Sequence, residues 1–145
     1  MATRTARTAW NGTLIEGGGQ VELSSSKVGT FDVSFPKRTA DDASGVTSPE
    51  ELIAAAHASC YCMALSHILG EAGTPPEKLA ASATVTFAQV EGGFKVASSA
   101  LKVKGTVPGI DAAAFRDAAN KAKDGCPTSG ALKNNVEITV VAELA

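Results

Sequence analysis

The sequence of 145 residues has few aromatic side chains, no excess of positive charge and only three cysteines. Aromatic residues make up 5% of the chain and apolar residues 44%, so alanine and valine carry most of the apolar bulk. This composition is typical of a globular protein, and we expect residues 1–145 to form one domain. The formal net charge of −2 argues against general binding to nucleic acid or acidic membranes, which requires a basic surface.

Residues 52–70 contain no Asp, Glu, Lys or Arg, and a run of this length could cross a bilayer. The run contains two histidines, two serines and many alanines, so we expect a buried central helix rather than a membrane span. The first twelve residues carry two arginines with no apolar segment behind them, and we expect no secretory signal. We therefore expect a cytoplasmic protein, in which permanent disulfides are rare.

The hydrophobic pattern predicts an α+β domain of the order β-β-β-α-β-β-α-α-β. Ser48 and Glu51 form a capping box around Pro49, which predicts a helix that runs to Gly70. Asp111 is expected to cap a second helix, and Cys126-Pro127 to begin a short third one. The expected strand segments are residues 5–10, 13–16 and 20–25 (the last two as a hairpin across three glycines), 29–35 ended by Pro36, 82–90, 94–107 and 136–144, with a polar loop at 37–45.

Apolar side chains lie on two opposite sides of the predicted helix at residues 49–70. At 100° per residue, one stripe contains Leu52, Ala56, Ser59 and Met63, and the opposite side contains Ala54, Ala58, Leu65 and Leu69. A helix that is apolar on two sides is expected to be enclosed, by a sheet on one side and by another element or a second subunit on the other.

The three thiols, at Cys60, Cys62 and Cys126, could be packing groups, metal ligands or reactive groups. An odd number fits poorly with a disulfide scaffold. His57, Cys60 and His67 share a helix face, but Cys60 and His67 are two turns apart, about 10.5 Å, which is too far for one ion. We therefore expect no metal site, and we expect both histidines to be core or interface residues.

The position of each thiol on its helix favours different roles. Cys62 lies 200° from Cys60 around the helix, and we expect it to pack as a small apolar residue. Cys126 precedes a helix start, where free N–H groups lower a thiol pKa, so position alone favours Cys126 as the stronger thiolate. Cys60, in the middle of a helix, would need a cation from elsewhere.

Three segments resemble the OsmC/Ohr family of thiol-dependent peroxidases. They are TSPEELIAAAHASCYCMALS at residues 47–66, VPGIDAAAF at 107–115 and CPTSGAL at 126–132. The residues of the first segment resemble the OsmC branch of the family. The resemblance covers nearly the whole chain. It implies an OsmC-like fold of antiparallel sheets packed around a long central helix, in an intertwined homodimer.

The same resemblance implies a site and a chemistry. Cys60 would attack a hydroperoxide and become a sulfenic acid, and Cys126 would resolve it as a disulfide. Arg38, after the third strand, would activate the thiolate, and Glu50 would hold Arg38. The substrates would be organic hydroperoxides and hydrogen peroxide, the reductant a dithiol such as a dihydrolipoyl group, and no haem or other cofactor would take part.

Helix geometry adds an expectation about the subunits. Glu50 and Cys60 are ten residues apart, about 15 Å along an unbroken helix, and an arginine spans only about half that length. We therefore expect Arg38 and Glu50 of one chain to meet Cys60 and Cys126 of another, in an obligate dimer. Two alternatives stay open at this point: a module that binds an apolar small molecule or senses redox state in the same cleft, and a dimeric scaffold with packed cysteines.

Overall fold

The computed structural model describes residues 1–145 and forms two compact units, residues 1–49 and 50–145. The elements, in chain order, are β1 (Arg7–Asn11), β2 (Gly18–Glu22), β3 (Thr30–Val33), α1 (Phe35–Arg38), α2 (Pro49–Glu71), β4 (Lys78–Val90), β5 (Gly93–Thr106), α3 (Ala112–Gly125), α4 (Pro127–Leu132) and β6 (Glu137–Leu144). The predicted α+β class and the order of the main elements are confirmed.

The first unit contains a three-stranded antiparallel sheet in the order β1-β2-β3. The predicted strand at residues 13–16 is wrong. The Gly17 amide donates to the Thr13 carbonyl over 2.9 Å and the Glu16 amide to the Thr13 hydroxyl over 3.1 Å, so these residues form a turn between β1 and β2. Gly12, with φ +87°, begins that turn in the left-handed region that glycine tolerates.

A short helix follows β3 where a polar loop was expected. Ser34 is its N-cap and accepts a hydrogen bond from the Lys37 amide, and Pro36 lies in its first turn. Proline ends a strand but also fits the first turn of a helix, and the predicted loop at residues 37–45 therefore begins inside α1. Arg38 is the last residue of this helix.

The second unit is built from α2, a long hairpin and a returning strand. Strands β4 and β5 pair antiparallel around the predicted turn, with a bulge at Thr86/Phe87. Strand β6 pairs with β5 in parallel, so the second sheet is mixed and the expectation of wholly antiparallel sheets needs correction. The reason is topological: α3 and α4 cross between β5 and β6 and return the chain to the same direction.

One helix, α2, is long and apolar enough to cross a membrane by length and composition alone. Within the chain it acts as a core helix on one side: His57, Tyr61, Leu65 and Leu69 are buried at intervals of four residues. The apolar members of this stripe join a cluster with residues of β5 and α3. The side of α2 that carries Leu65 and Leu69 is thus buried as expected, while Ala56, Ser59 and Met63 on the other side are exposed.

The contact between β5 and α3 requires a glycine. A Cβ atom at Gly105 would lie 2.5 Å from Cζ of Phe115, a fully buried side chain. Asp111 caps α3 as predicted, because its carboxylate accepts a hydrogen bond from the Ala114 amide over 2.8 Å. Helix α3 therefore begins at a defined residue and packs closely against β5, and Cys126 follows its last residue.

Candidate active site

Cys60 and Cys126 come together in the second unit, 66 positions apart in sequence. Cys60 is half-buried in the middle of α2, and Cys126 is 1% exposed at the junction of α3 and α4. The two thiols are hydrogen-bonded to each other and both are in the reduced form. A resolving step requires the two thiols to lie next to each other, and the contact between Cys60 and Cys126 meets this requirement.

Local geometry explains how Cys126 reaches this position. Its amide donates to the Ala122 carbonyl as the C-cap of α3, and its carbonyl accepts from the Gly130 amide as the N-cap of α4. An extended backbone at this residue, with φ −65° and ψ 126°, separates the two helices. Cys126 is therefore held from both sides.

Thr128 is a site residue that the sequence reasoning missed. Both its hydroxyl and its backbone N–H bond to the sulfur of Cys60. The first N–H groups of a helix have no partner within the helix, so the first turn of α4 offers donors to a thiolate. The signal in the sequence was the helix start at Cys126-Pro127, but only the tertiary fold reveals that its donors face Cys60.

These contacts change which thiol is activated by its surroundings. Burial raises the pKa of Cys60, but the bonds from the Thr128 hydroxyl, the Thr128 amide and the Cys126 thiol outweigh it, and the pKa of Cys60 is lowered. Position within one helix had favoured Cys126 for this role, but the donors of the α4 start bond to Cys60 on the neighbouring helix. The bonds that lower the pKa of Cys60 come from Thr128 and Cys126, so none of them requires a cation.

His57, one turn before Cys60, is a fully hydrogen-bonded core residue, as predicted. Its Nδ1 lies 2.7 Å from the Ser99 hydroxyl on β5, and its Nε2 lies 2.8 Å from the Ser129 hydroxyl on α4. The ring is completely buried, and burial lowers the pKa of His57. Both ring nitrogens are used, so His57 ties α2 to the sheet and to the helix that carries Thr128.

Cys62 and His67 lie away from the thiol pair. Cys62 is half-buried, and burial raises its pKa, partly offset by a hydrogen bond from the Ala81 amide; its role as a packing thiol stays a prediction. His67 is exposed and hence not in the core. Both line an open cavity of about 680 Å³, together with Met63, Ser66, Gly70, Glu71 and residues 76–79, and neither Cys60 nor Cys126 lines it.

Arg38 and Glu50 occupy different units. Arg38 ends α1 in the first unit, in a helix rather than in the expected loop. Glu50 is a buried carboxylate in the first turn of α2. Helix α2 is continuous from Glu50 to Cys60, so the two are separated by about 15 Å along its axis. The roles of Arg38 and Glu50 stay predictions.

The sequence is similar to proteins of known type over almost its full length. Residues 41–141 match the family described as "OsmC-like protein". The chain is 42% identical to "Peroxiredoxin OsmC" of Escherichia coli (strain K12) over 135 residues, 93% of this chain and 92% of that one. It is 28% identical to the "Organic hydroperoxide resistance protein" of Xanthomonas axonopodis pv. citri over 119 residues, 81% of this chain and 82% of the other.

Solved structures share the fold. An organic hydroperoxide resistance protein from Elizabethkingia anophelis superposes with a TM-score of 0.77 at 26% identity and covers 99% of both chains. OhrB of Bacillus subtilis gives a TM-score of 0.75 at 28% identity over 97% of this chain and 98% of the other. With the family match and the thiol pair, these similarities show that the chain belongs to the OsmC-like family.

Proposed function

We propose that the protein is a cysteine-based peroxidase that removes hydroperoxides under oxidative stress. The observation that carries the proposal is the hydrogen-bonded pair of Cys60 and Cys126, with the pKa of Cys60 lowered by Thr128 and Cys126. The names of the relatives, a peroxiredoxin and an organic hydroperoxide resistance protein, support the same activity. Thiolate chemistry of this kind needs no haem and no metal.

The first chemical step uses the thiolate of Cys60. Its sulfur attacks one oxygen of the hydroperoxide, an S–O bond forms, and the O–O bond breaks. Cys60 becomes a sulfenic acid, and the second oxygen leaves with a proton as an alcohol, or as water when the substrate is hydrogen peroxide. The donors that hold the anion before attack, the Thr128 amide and hydroxyl, are fixed by α4 and can remain close to the sulfur as its charge moves to the leaving oxygen.

The second step uses Cys126. Its thiol loses a proton and attacks the sulfur of the sulfenic acid, an S–S bond forms, and the hydroxyl group leaves as water. The enzyme then contains an intramolecular disulfide between Cys60 and Cys126. A dithiol reductant, such as a dihydrolipoyl group, would return both thiols to the reduced form and leave as a cyclic disulfide, as the family resemblance implies.

Arg38 and Glu50 complete the site in our proposal. A guanidinium stays charged at all relevant pH values and can contact a sulfur and a peroxide oxygen together, and a carboxylate can hold its planar fork by two bonds. The distance of about 15 Å between Glu50 and Cys60 along α2 supports an arrangement across two subunits. Arg38 and Glu50 of one chain would meet Cys60 and Cys126 of the other.

The proposed homodimer also accounts for the uncovered side of α2. Met63 is 71% exposed, and Ala55, Ala56 and Ser59 are exposed on the same helix. A second copy would cover this side, in keeping with the intertwined dimer that the resemblance implies. We further propose that the two units act as one domain, in the cytoplasm, where a reducing environment would keep a reductant available.

The 680 Å³ cavity does not favour the alternative of an apolar binding module. Its lining includes the charged residues Glu71, Glu77 and Lys78, and it does not include the thiol pair. The redox chemistry of Cys60 and Cys126 therefore remains the better-supported function.

The test is peroxide consumption with a dithiol reductant by the wild type, Cys60→Ser and Cys126→Ser. We expect no turnover with Cys60→Ser, and one oxidation event per subunit with Cys126→Ser, because the sulfenic acid forms but is not resolved. Mass spectrometry after one equivalent of cumene hydroperoxide should find Cys60 linked to Cys126 in the wild type. Equal activity of the two variants would contradict the proposal.

A further inference from the structure

The His57 ring joins three elements of the second unit. It lies on α2, one turn from Cys60, and contacts Ser99 of β5 at 2.7 Å and Ser129 of α4 at 2.8 Å. Ser99 is fully buried and Ser129 is 4% exposed. These are short, water-excluded hydrogen bonds, which hold geometry more tightly than bonds at a wet surface.

Helix α4 is short and has one buried side chain. It has six residues, too few for a helix to be stable alone, so its position must come from tertiary contacts. Its N-cap, Cys126, makes no side-chain capping bond, and Ser129 is its only buried residue. The one buried side chain of α4 is thus the side chain that bonds to His57.

The same turn carries the groups that act on Cys60. Cys126 precedes α4, Thr128 is its second residue, and Ser129 follows directly. A shift of this turn would move the Thr128 amide and the Cys126 sulfur away from the Cys60 sulfur together. An error of about 1 Å is enough to slow a reaction between positioned groups substantially.

We propose that His57 is a positioning residue for disulfide formation, because its bond to Ser129 holds the first turn of α4 where Cys126 and Thr128 reach the sulfur of Cys60. His57 takes no part in the chemistry and does not touch the substrate. The inference rests on the proposed function, since it concerns the condensation of a Cys60 sulfenic acid with Cys126, in which an S–S bond forms and water leaves.

The test compares two variants that each remove one hydroxyl from the same ring. Ser129→Ala cuts the bond from His57 to α4, and Ser99→Ala cuts the bond from His57 to β5 and leaves α4 attached. Each reduced protein receives one equivalent of cumene hydroperoxide, and acid-quenched samples are followed by intact mass. The sulfenic acid adds one oxygen, and the disulfide is lighter than the reduced protein by two hydrogens.

We expect disulfide formation to be about fivefold slower in Ser129→Ala, the usual effect of losing one buried hydrogen bond, with the sulfenic acid accumulating. The rate of disulfide formation in Ser99→Ala should stay within about twofold of the wild-type rate, even though its Tm falls by about as much as the Tm of Ser129→Ala. Ser129→Thr, which keeps the hydroxyl, should recover most of the rate. Matching Tm losses make general destabilisation an insufficient explanation of a difference in rate.

Two results would overturn the inference while leaving the proposed function intact. One is a disulfide that forms in Ser129→Ala as fast as in the wild type. The other is equal slowing in Ser99→Ala and Ser129→Ala, which would assign the effect to the ring environment as a whole rather than to the bond with α4. Failure of the wild type itself to link Cys60 to Cys126 would overturn both.

Discussion

The thiol of Cys126 is hydrogen-bonded to the thiol of Cys60, although the two residues belong to segments 66 positions apart. Cys126 is almost completely buried, whereas Cys60 is half-buried. A small molecule can therefore approach the sulfur of Cys60, while the sulfur of Cys126 lies beside it and is shielded from solvent. This division suits a reaction in which the first thiol meets the peroxide and the second closes the cycle.

Replacing the Thr128 hydroxyl should weaken the thiolate of Cys60. In Thr128→Ala the hydroxyl bond is lost and the amide bond remains, so the pKa of Cys60 should rise and its alkylation by iodoacetamide at pH 7 should slow by about threefold to tenfold. The measurement is the alkylation rate of Cys60 against pH, with Cys62 followed as an internal reference. Thr128→Ser keeps the hydroxyl and should match the wild type. Unchanged alkylation of Cys60 in Thr128→Ala would mean that the hydroxyl bond is not important.

The local parts of this structure could be predicted from the sequence. The start of α2 at Pro49, the β4–β5 hairpin and the Asp111 cap are each encoded within a few neighbouring residues. The short helix α1 could not, because a proline after a strand is compatible with both a loop and a first helical turn.

The long-range relationships needed the structure. The parallel pairing of β6 with β5 depends on the route of a crossover rather than on any local pattern. The bonds from His57 to Ser99 and Ser129 span 42 and 72 positions. For the same reason the resemblance could indicate Cys60 and Cys126 but could not reveal that Thr128 supplies the donors.

Folding stability should fall as the pH drops below the ordinary range of histidine. The pKa of the buried His57 is lowered in the folded state, so the unfolded chain binds a proton more readily, and the free energy of unfolding decreases as pH falls from about 6.5, the usual value, toward the folded pKa. The slope is at most about 1.4 kcal/mol per pH unit from one group. Urea unfolding at pH 8.0, 6.5 and 5.5 measures it.

Two histidine variants separate this effect from other titrations. His57→Gln should flatten the dependence of stability on pH over this window, although its stability at pH 8.0 is lower. His67→Gln removes the other histidine, which is exposed, and should keep the wild-type slope. A slope that survives in His57→Gln would assign it to other groups.

A charge on the uncovered side of α2 should dissociate the proposed dimer. Met63 is 71% exposed in one chain, and a carboxylate buried between two subunits without a partner is costly, so Met63→Glu should weaken the dimer by at least about tenfold in Kd. Sedimentation velocity from 1 to 100 μM protein measures the change.

Val141→Glu is a matched control for Met63→Glu. Val141 is 64% exposed on β6, while its neighbours Val140 and Ala142 pack against the core of the second unit, so the substitution adds the same charge to a different face. It should leave the dimer intact. A wild type that sediments as a monomer at micromolar concentration would contradict the dimer itself.

Two inactive variants should restore activity together if Arg38 acts across the subunit contact. Arg38→Ala lacks the guanidinium and Cys60→Ser lacks the thiol, and each homodimer should be nearly inactive. In a mixed dimer, one site would carry both defects and the other would be complete, because its Cys60 and Arg38 come from different chains. Co-expression in equal amounts gives half mixed dimers, so the preparation should show about a quarter of the wild-type peroxidase activity.

A preparation with no more activity than the two homodimers would mean that Arg38 serves the Cys60 of its own chain or serves no site. Lys37→Ala removes the neighbouring cation in α1 and should retain wild-type activity, because the proposed role requires the guanidinium of Arg38.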